Sequence, residues 1–230
     1  MDYITTLLLI ILTFAAYLFS RFLFMRYQNP LLNVVIISSA FIVAVLFTLH
    51  LPYAAYRPGK EIMTILLGPA TVALAVPLYN NRAVLQKNLV TVVVGVCLAS
   101  LLTSLTAMGI TRLLGMPKDI VVAIGSKSVT APIAAQVAAV NGGDPEMAIA
   151  FVVVTGALGA IAGPTLLTLL KITNPIIRGL AMGTTAHGQG TATALMEGEQ
   201  QGMMAGIGMT LSAIITSALL PILISILWHS

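Results

Sequence analysis

Apolar runs of about 20 residues, the length of helix that crosses a bilayer core, recur along this chain with few charges in or between them. No other feature restricts the fold so strongly. The candidate segments run near 3–25, 31–50, 61–79, 88–114, 118–140, 146–170, 175–196 and 202–228. Strand-type alternation is absent, so helices rather than a membrane barrel must satisfy the backbone in lipid. The expected fold class is all-α: a polytopic membrane protein with seven or eight hydrophobic segments. The connections are short and no soluble domain interrupts them, so residues 1–230 read as one transmembrane domain.

Composition agrees. Charged residues make up 8% of the chain and apolar residues 58%, against roughly a quarter charged in a soluble domain. Such a chain cannot cover a water-facing surface, and the lipid bilayer is its solvent. The net charge of +4 is dispersed between apolar runs. Without a basic patch and interleaved aromatics, no nucleic-acid partner is expected. Cys97, the single cysteine, rules out an intrachain disulfide and a cysteine-based metal site. Met1-Asp2-Tyr3 lacks the basic start of a signal peptide, and the run after it reads as a retained spanning helix.

Two segments are poor ordinary spans: 61–79 holds Gly68-Pro69 and Pro77, and 175–196 is dense in glycine and threonine. Proline deletes a ladder hydrogen bond and glycine weakens the helix, so broken helices or re-entrant loops are expected at both. The 118–140 segment is also interrupted, at Gly125 and Pro132. If 61–79 re-enters, Arg21, Arg26, Arg112, Lys118, Lys171 and Arg178 share a cytoplasmic side. Asp144, Glu146, Glu197 and Glu199 then lie opposite, together with Arg57, Lys60, Glu61, Arg82 and Lys87. If 61–79 crosses, that separation is lost. A two-fold internal repeat is hinted at by Gly68-Pro69-Ala70-Thr71 and Gly183-Thr184-Thr185-Ala186, which hold similar places in the two halves.

Lys127 carries the sharpest functional signal. It lies nine residues past Lys118, roughly 14 Å inside one face at helical rise. An unpaired charge at that depth costs about 3 kcal/mol on insertion scales. No acidic residue lies inside any expected span: Asp2, Glu61, Asp119, Asp144, Glu146, Glu197 and Glu199 all sit at segment ends. The missing counter-ion points to an anionic substrate supplied from outside. The plain alternative is a lysine that caps broken-helix carbonyls. Ser126, Ser128 and Thr130 surround it; such hydroxyls complete an oxyanion site or simply bond their own backbone. Half-helix N-termini would add donors and positive dipole.

His187 is deep as well, nine residues past Arg178 and ten before Glu197. It can donate, accept or carry a proton; alternatively it bonds quietly between helices. Thr184, Thr185, Gln189, Gly190 and Thr191 bring further polar groups and exposable N–H donors. The segments around 127 and 187 are expected to meet and bind a small carboxylate. Arg178 fits an interface anchor. Catalysis is disfavoured: Ser126 and Ser128 adjoin Lys127, and helix neighbours point apart. One deep histidine without a deep acid makes no triad, and no zinc motif occurs. No metal or cofactor is expected.

Lys-Ser-Val-Thr-Ala-Pro-Ile-Ala (127–134) and Arg-Gly-Leu-Ala-Met-Gly-Thr-Thr-Ala-His-Gly-Gln-Gly-Thr-Ala (178–192) together resemble the LrgB/CidB family. Pro30-Leu-Leu-Asn33, Gly59-Lys-Glu61 and the 69–79 stretch fit too. The family comprises bacterial inner-membrane proteins related to the C-terminal half of the plastidial glycolate/glycerate translocator. Two departures stand out: Ala131 where many relatives have a second threonine, and Ala186-His187-Gly188 where they have Ser-His-Ala, one hydroxyl fewer at each place. The resemblance implies one of two roles. One is transport of small monocarboxylates such as pyruvate, glycolate or glycerate. The other is antiholin-like regulation of murein hydrolase export and cell lysis. It also implies a separate LrgA/CidA-like membrane subunit, and it leaves room for a homo-oligomer.

Overall fold

The computed structural model describes residues 3–27, 29, 32, 34–66, 69, 72, 75–80 and 82–228. Among them every regular element is helical. The chain divides into two compact units, residues 1–70 and 71–230.

The first unit packs α1 (Tyr3–Tyr27) against α2 (Val34–Thr48) and α3 (Tyr53–Ile65). Leu9, Leu46 and Ala55 form its core, and Thr13 Oγ1 and Tyr56 OH share a 2.9 Å hydrogen bond. α1 is long and apolar enough to span. The sequence placed a hydrophobic segment from 61, whereas α3 begins at Tyr53 and carries the exposed Arg57–Glu61 pair. Charged residues in an amphipathic surface helix explain the earlier start. The expected re-entry falls around Gly68, Ala70 and Thr71, which lie outside the described residues. So does most of the 30–33 motif.

The second unit contains α4 (Ala75–Asn80), α5 (Arg82–Lys87), α6 (Leu89–Leu113), α7 (Lys118–Gly125), α8 (Ala131–Val140), α9 (Pro145–Leu169), α10 (Pro175–Glu197) and α11 (Glu199–Trp228). α6, α9 and α11 are long and apolar enough to span. Two short helices replace a fourth span. α7 stops at Gly125, the chain passes through Ser126–Thr130, and α8 starts from an extended Thr130. Pro132 sits in the first turn of α8, where its missing N–H leaves no bond unmade.

This pair turns back on itself. Asp144 N donates to Asp119 O at 3.3 Å, although a straight helix would part them by roughly 38 Å. Gly143 lies so close to α7 that an added Cβ would meet Val122 Cγ1 at 2.8 Å. Residues 118–144 are therefore a re-entrant hairpin with Ser126–Thr130 at its tip.

α10 does the same from the other end. His187, at φ 41° and ψ −129°, breaks it in the middle. Arg178 near its start and Glu197 at its close form a two-pronged ion pair, with N···O distances of 2.8 and 2.6 Å. A straight helix would hold them roughly 28 Å apart. Gly190 packs on the carbonyl of Met182, a contact any side chain would block.

Two re-entrant hairpins change the topology read from charge. Only α9 crosses between them, so Lys118, Asp119, Asp144 and Glu146 share one end of the unit. Lys171, Arg178, Glu197 and Glu199 share the other. Trp228 corroborates the first end, with its ring 5.3 Å from both Arg112 Cζ and Lys118 Nζ. The expected grouping of Lys118 with Lys171, and of Asp144 with Glu197, is thus overturned. Counting each broken segment as a crossing caused the error. A repeated order of span then hairpin, α6 with α7–α8 and α9 with α10, is visible within the second unit.

Candidate functional site

Both hairpin tips reach the same level, and two independent helices show it. On α9, Val152 packs with Val129 of the first tip, while its carbonyl meets His187 Nε2 of the second at 2.9 Å. On α11, Thr191 Oγ1 lies 3.9 Å from Met209 Sδ and Ser212 Oγ lies 3.5 Å from Ser128 O. Residues 209 and 212 are one helical turn apart.

At the first tip Lys127 is half-buried. Its ammonium donates to Ser128 Oγ at 3.2 Å, and among the described residues no carboxylate pairs with it. Ser128 is 4% exposed. Thr130 opens α8 without capping it, and its buried hydroxyl has no partner among the described residues. Ser126 instead returns its proton to Ala123 O at 2.9 Å. α7 presents its carbonyl end to the tip and α8 its N–H end, so the ammonium follows the negative pole of one half-helix and precedes the positive pole of the other.

At the second tip His187 is 6% exposed. A carbonyl can only accept, so Nε2 carries the proton donated to Val152 O. Its φ of 41° lies where side chains other than glycine's absence of one are strained, a cost of about 1–3 kcal/mol. Gly156 makes room for the ring: a Cβ there would lie 2.5 Å from His187 Cε1. Gln189 Nε2 reaches Val153 O at 3.5 Å. Thr191 Oγ1 donates to His187 O at 2.8 Å and stabilises the break. Thr184 is buried against Gly208 of α11. Thr185 turns to its own helix, at 2.6 Å from Ala181 O, and Gly190 serves the close packing of the hairpin.

Arg178, read as an interface anchor, is a clamp. Besides Glu197 it donates to Ile172 O at 2.9 Å, Thr168 Oγ1 at 3.3 Å and Pro164 O at 3.3 Å. With Pro164, Thr165, Thr168, Leu169 and Glu197 it lines a cleft of about 300 Å³.

Sequence reasoning missed the helices that hold the tips. Ser104 on α6 donates to Gly125 O at 2.7 Å, and Ser100, one turn away, is 1% exposed. Their i, i+4 spacing in an apolar helix was a usable signal. Among the described residues no group of three or more His, Cys, Asp or Glu could hold a metal.

The model of the LrgB-like family matches residues 13–226. The "Uncharacterized protein YxaC" of Bacillus subtilis is 36% identical over 218 residues, covering 95% of both chains. The "Holin-like protein CidB" of Staphylococcus aureus is 36% identical over 227 residues, covering 97% of both. The protein of the same name from Staphylococcus epidermidis is 33% identical over 223 residues, again covering 97% of both. No solved structure matches the chain.

Proposed function

The chain belongs to the LrgB-like family of multi-pass bacterial membrane proteins, and we propose that it is the transport core for a small monocarboxylate. The observation that carries this reading is Lys127: a half-buried ammonium at a hairpin tip, with no carboxylate partner among the described residues. Removing a charge from water without a partner is costly, and an anionic substrate offsets that cost. Ser128, Thr130 and the N-terminus of α8 supply oxygen-directed donors around it. His187 faces the same level with a proton that can be held or released. Paired broken helices near the midplane are the usual setting of a transporter's site. The working unit would be the single membrane domain, with an LrgA/CidA-like subunit as partner.

The name of the staphylococcal relatives, "holin-like protein", favours a second reading. In it the chain regulates a holin-like pore and thereby murein hydrolase export, and Lys127 only caps α7.

Proteoliposome uptake separates the two. Transport predicts saturable uptake of a labelled two- or three-carbon monocarboxylate that Lys127→Ala abolishes and Lys127→Arg partly restores. A regulator shows no saturable, lysine-dependent flux.

A further inference from the structure

Three helix ends converge on one tryptophan. Arg112 lies in the last turn of α6, Lys118 opens α7 and Trp228 closes α11. Arg112 Cζ and Lys118 Nζ each stand 5.3 Å from the centroid of the Trp228 ring, so at most twice that distance parts the two positive centres. α6 and α11 are both long and apolar enough to span. Their shared end therefore lies at the membrane surface, the level of the lipid phosphates and the level that tryptophan favours.

Two cations held this close repel each other, and an exposed cation–π contact offsets only part of that. Elsewhere the chain supplies a carboxylate: Arg57 has Glu61 and Arg178 has Glu197. Among the described residues no carboxylate lies within ion-pair distance of Arg112 or Lys118. Asp119 follows Lys118 in the chain yet pairs with neither cation, and the Asp144 carboxylate caps α9 through Glu146 N and Met147 N. The loop between the two cations is apolar and turned outwards, with Leu113 88%, Leu114 67% and Met116 47% exposed. A soluble anion leaves those side chains bare, whereas a lipid brings acyl carbon to cover them beside its charge.

We propose that Arg112, Lys118 and Trp228 form a site for the phosphodiester headgroup of an anionic phospholipid, and that Leu113, Leu114 and Met116 rest on its acyl chains. The guanidinium fork of Arg112 fits two phosphate oxygens, Lys118 adds a point charge, and the indole holds both cations at headgroup depth. Because Lys118 opens the first hairpin, the lipid sits at the hairpin's foot, away from the tips. The site does not depend on the transport reading.

Trp228 is the only tryptophan of the chain, so its fluorescence reads this site alone. The test places the protein in phosphatidylcholine nanodiscs carrying a small fraction of acyl-brominated phosphatidylglycerol or acyl-brominated phosphatidylcholine. The brominated phosphatidylglycerol is expected to occupy the site roughly tenfold more readily, the effect of two basic groups at an anionic headgroup, and to quench Trp228 accordingly. Arg112→Gln with Lys118→Gln removes that preference and leaves quenching by the brominated phosphatidylcholine unchanged. Should the double variant alter both, the ring has moved; Arg112→Lys with Lys118→Arg, which keeps the charges, must then retain most of the preference, and its loss there overturns the site. Equal quenching of the unaltered protein by the two lipids shows an ordinary interfacial tryptophan, and a preference that survives in the glutamine variant belongs to other residues. Either overturns the site, as does a preference that dissolved glycerol phosphate abolishes, which marks a site for a free phosphate ester.

Discussion

His187 combines strained backbone with a fully assigned ring contact, and the two separate by mutation. Glycine tolerates φ 41° and ψ −129°, whereas alanine keeps the strain. His187→Gly is expected to unfold in detergent at higher temperature than His187→Ala, by a margin equivalent to about 1 kcal/mol, while both lose uptake. Equal melting of the two variants would show that the backbone is relaxed there. Gly156→Ala places a methyl 2.5 Å from Cε1 and 2.6 Å from Nε2 of that ring, an overpacking cost of about 1–3 kcal/mol. In the His187→Ala background the same change should cost clearly less, with only the Gln189 amide left at 3.0 Å, a coupling that a double-mutant cycle reads directly. Strain of this kind leaves no trace in composition: the histidine was legible as a deep polar residue, its φ was not.

At the scale of elements, the hairpins depend on what joins their feet. Arg178 and Glu197 are 12% and 19% exposed at the side chain, so cutting one partner leaves a largely desolvated charge. Arg178→Gln is expected to cost about 3 kcal/mol, and Arg178→Gln with Glu197→Gln less than the two changes summed. Thermal unfolding in detergent checks both; additive losses would mean the ion pair does not close the hairpin. The sequence disclosed that 118–140 and 175–196 are broken, because glycine and proline act locally. It did not disclose that each broken segment returns to its starting end. That depends on contacts such as Asp144 N to Asp119 O between residues far apart in the chain, which local propensity does not encode. Ser104 and Ser212 were passed over for the same reason: only packing reveals that their hydroxyls face the hairpin.

For the second unit as a whole, re-entry decides sidedness. Lys171 and Arg178 lie at one end, with Arg82 and Lys87 ahead of α6, where Leu85 packs beside Val92 and Leu180. The other end carries Arg112 and Lys118. By the positive-inside rule, the larger basic share within this unit predicts a cytoplasmic Lys171 end. In a Cys97→Ser background, Gly142→Cys should label with an impermeant maleimide on intact cells, and Lys171→Cys only after the membrane is permeabilised. Labelling of Asp119 and Gly142 from opposite faces would show that 118–144 crosses, and the hairpin would be wrong.

The sequence alone settled the solvent, the helical class, the breaks and the unaccompanied lysine. These follow from hydropathy, from glycine and proline geometry, and from the cost of charge in lipid, all properties of residues and their neighbours. The tertiary structure decided which ends meet, that the two tips approach from opposite ends, and which serines from α6 and α11 close around them. Those outcomes hang on side chains brought together across 20 or more positions, as in the Ser104–Gly125 and Ser212–Ser128 contacts, and no local pattern fixes such pairings.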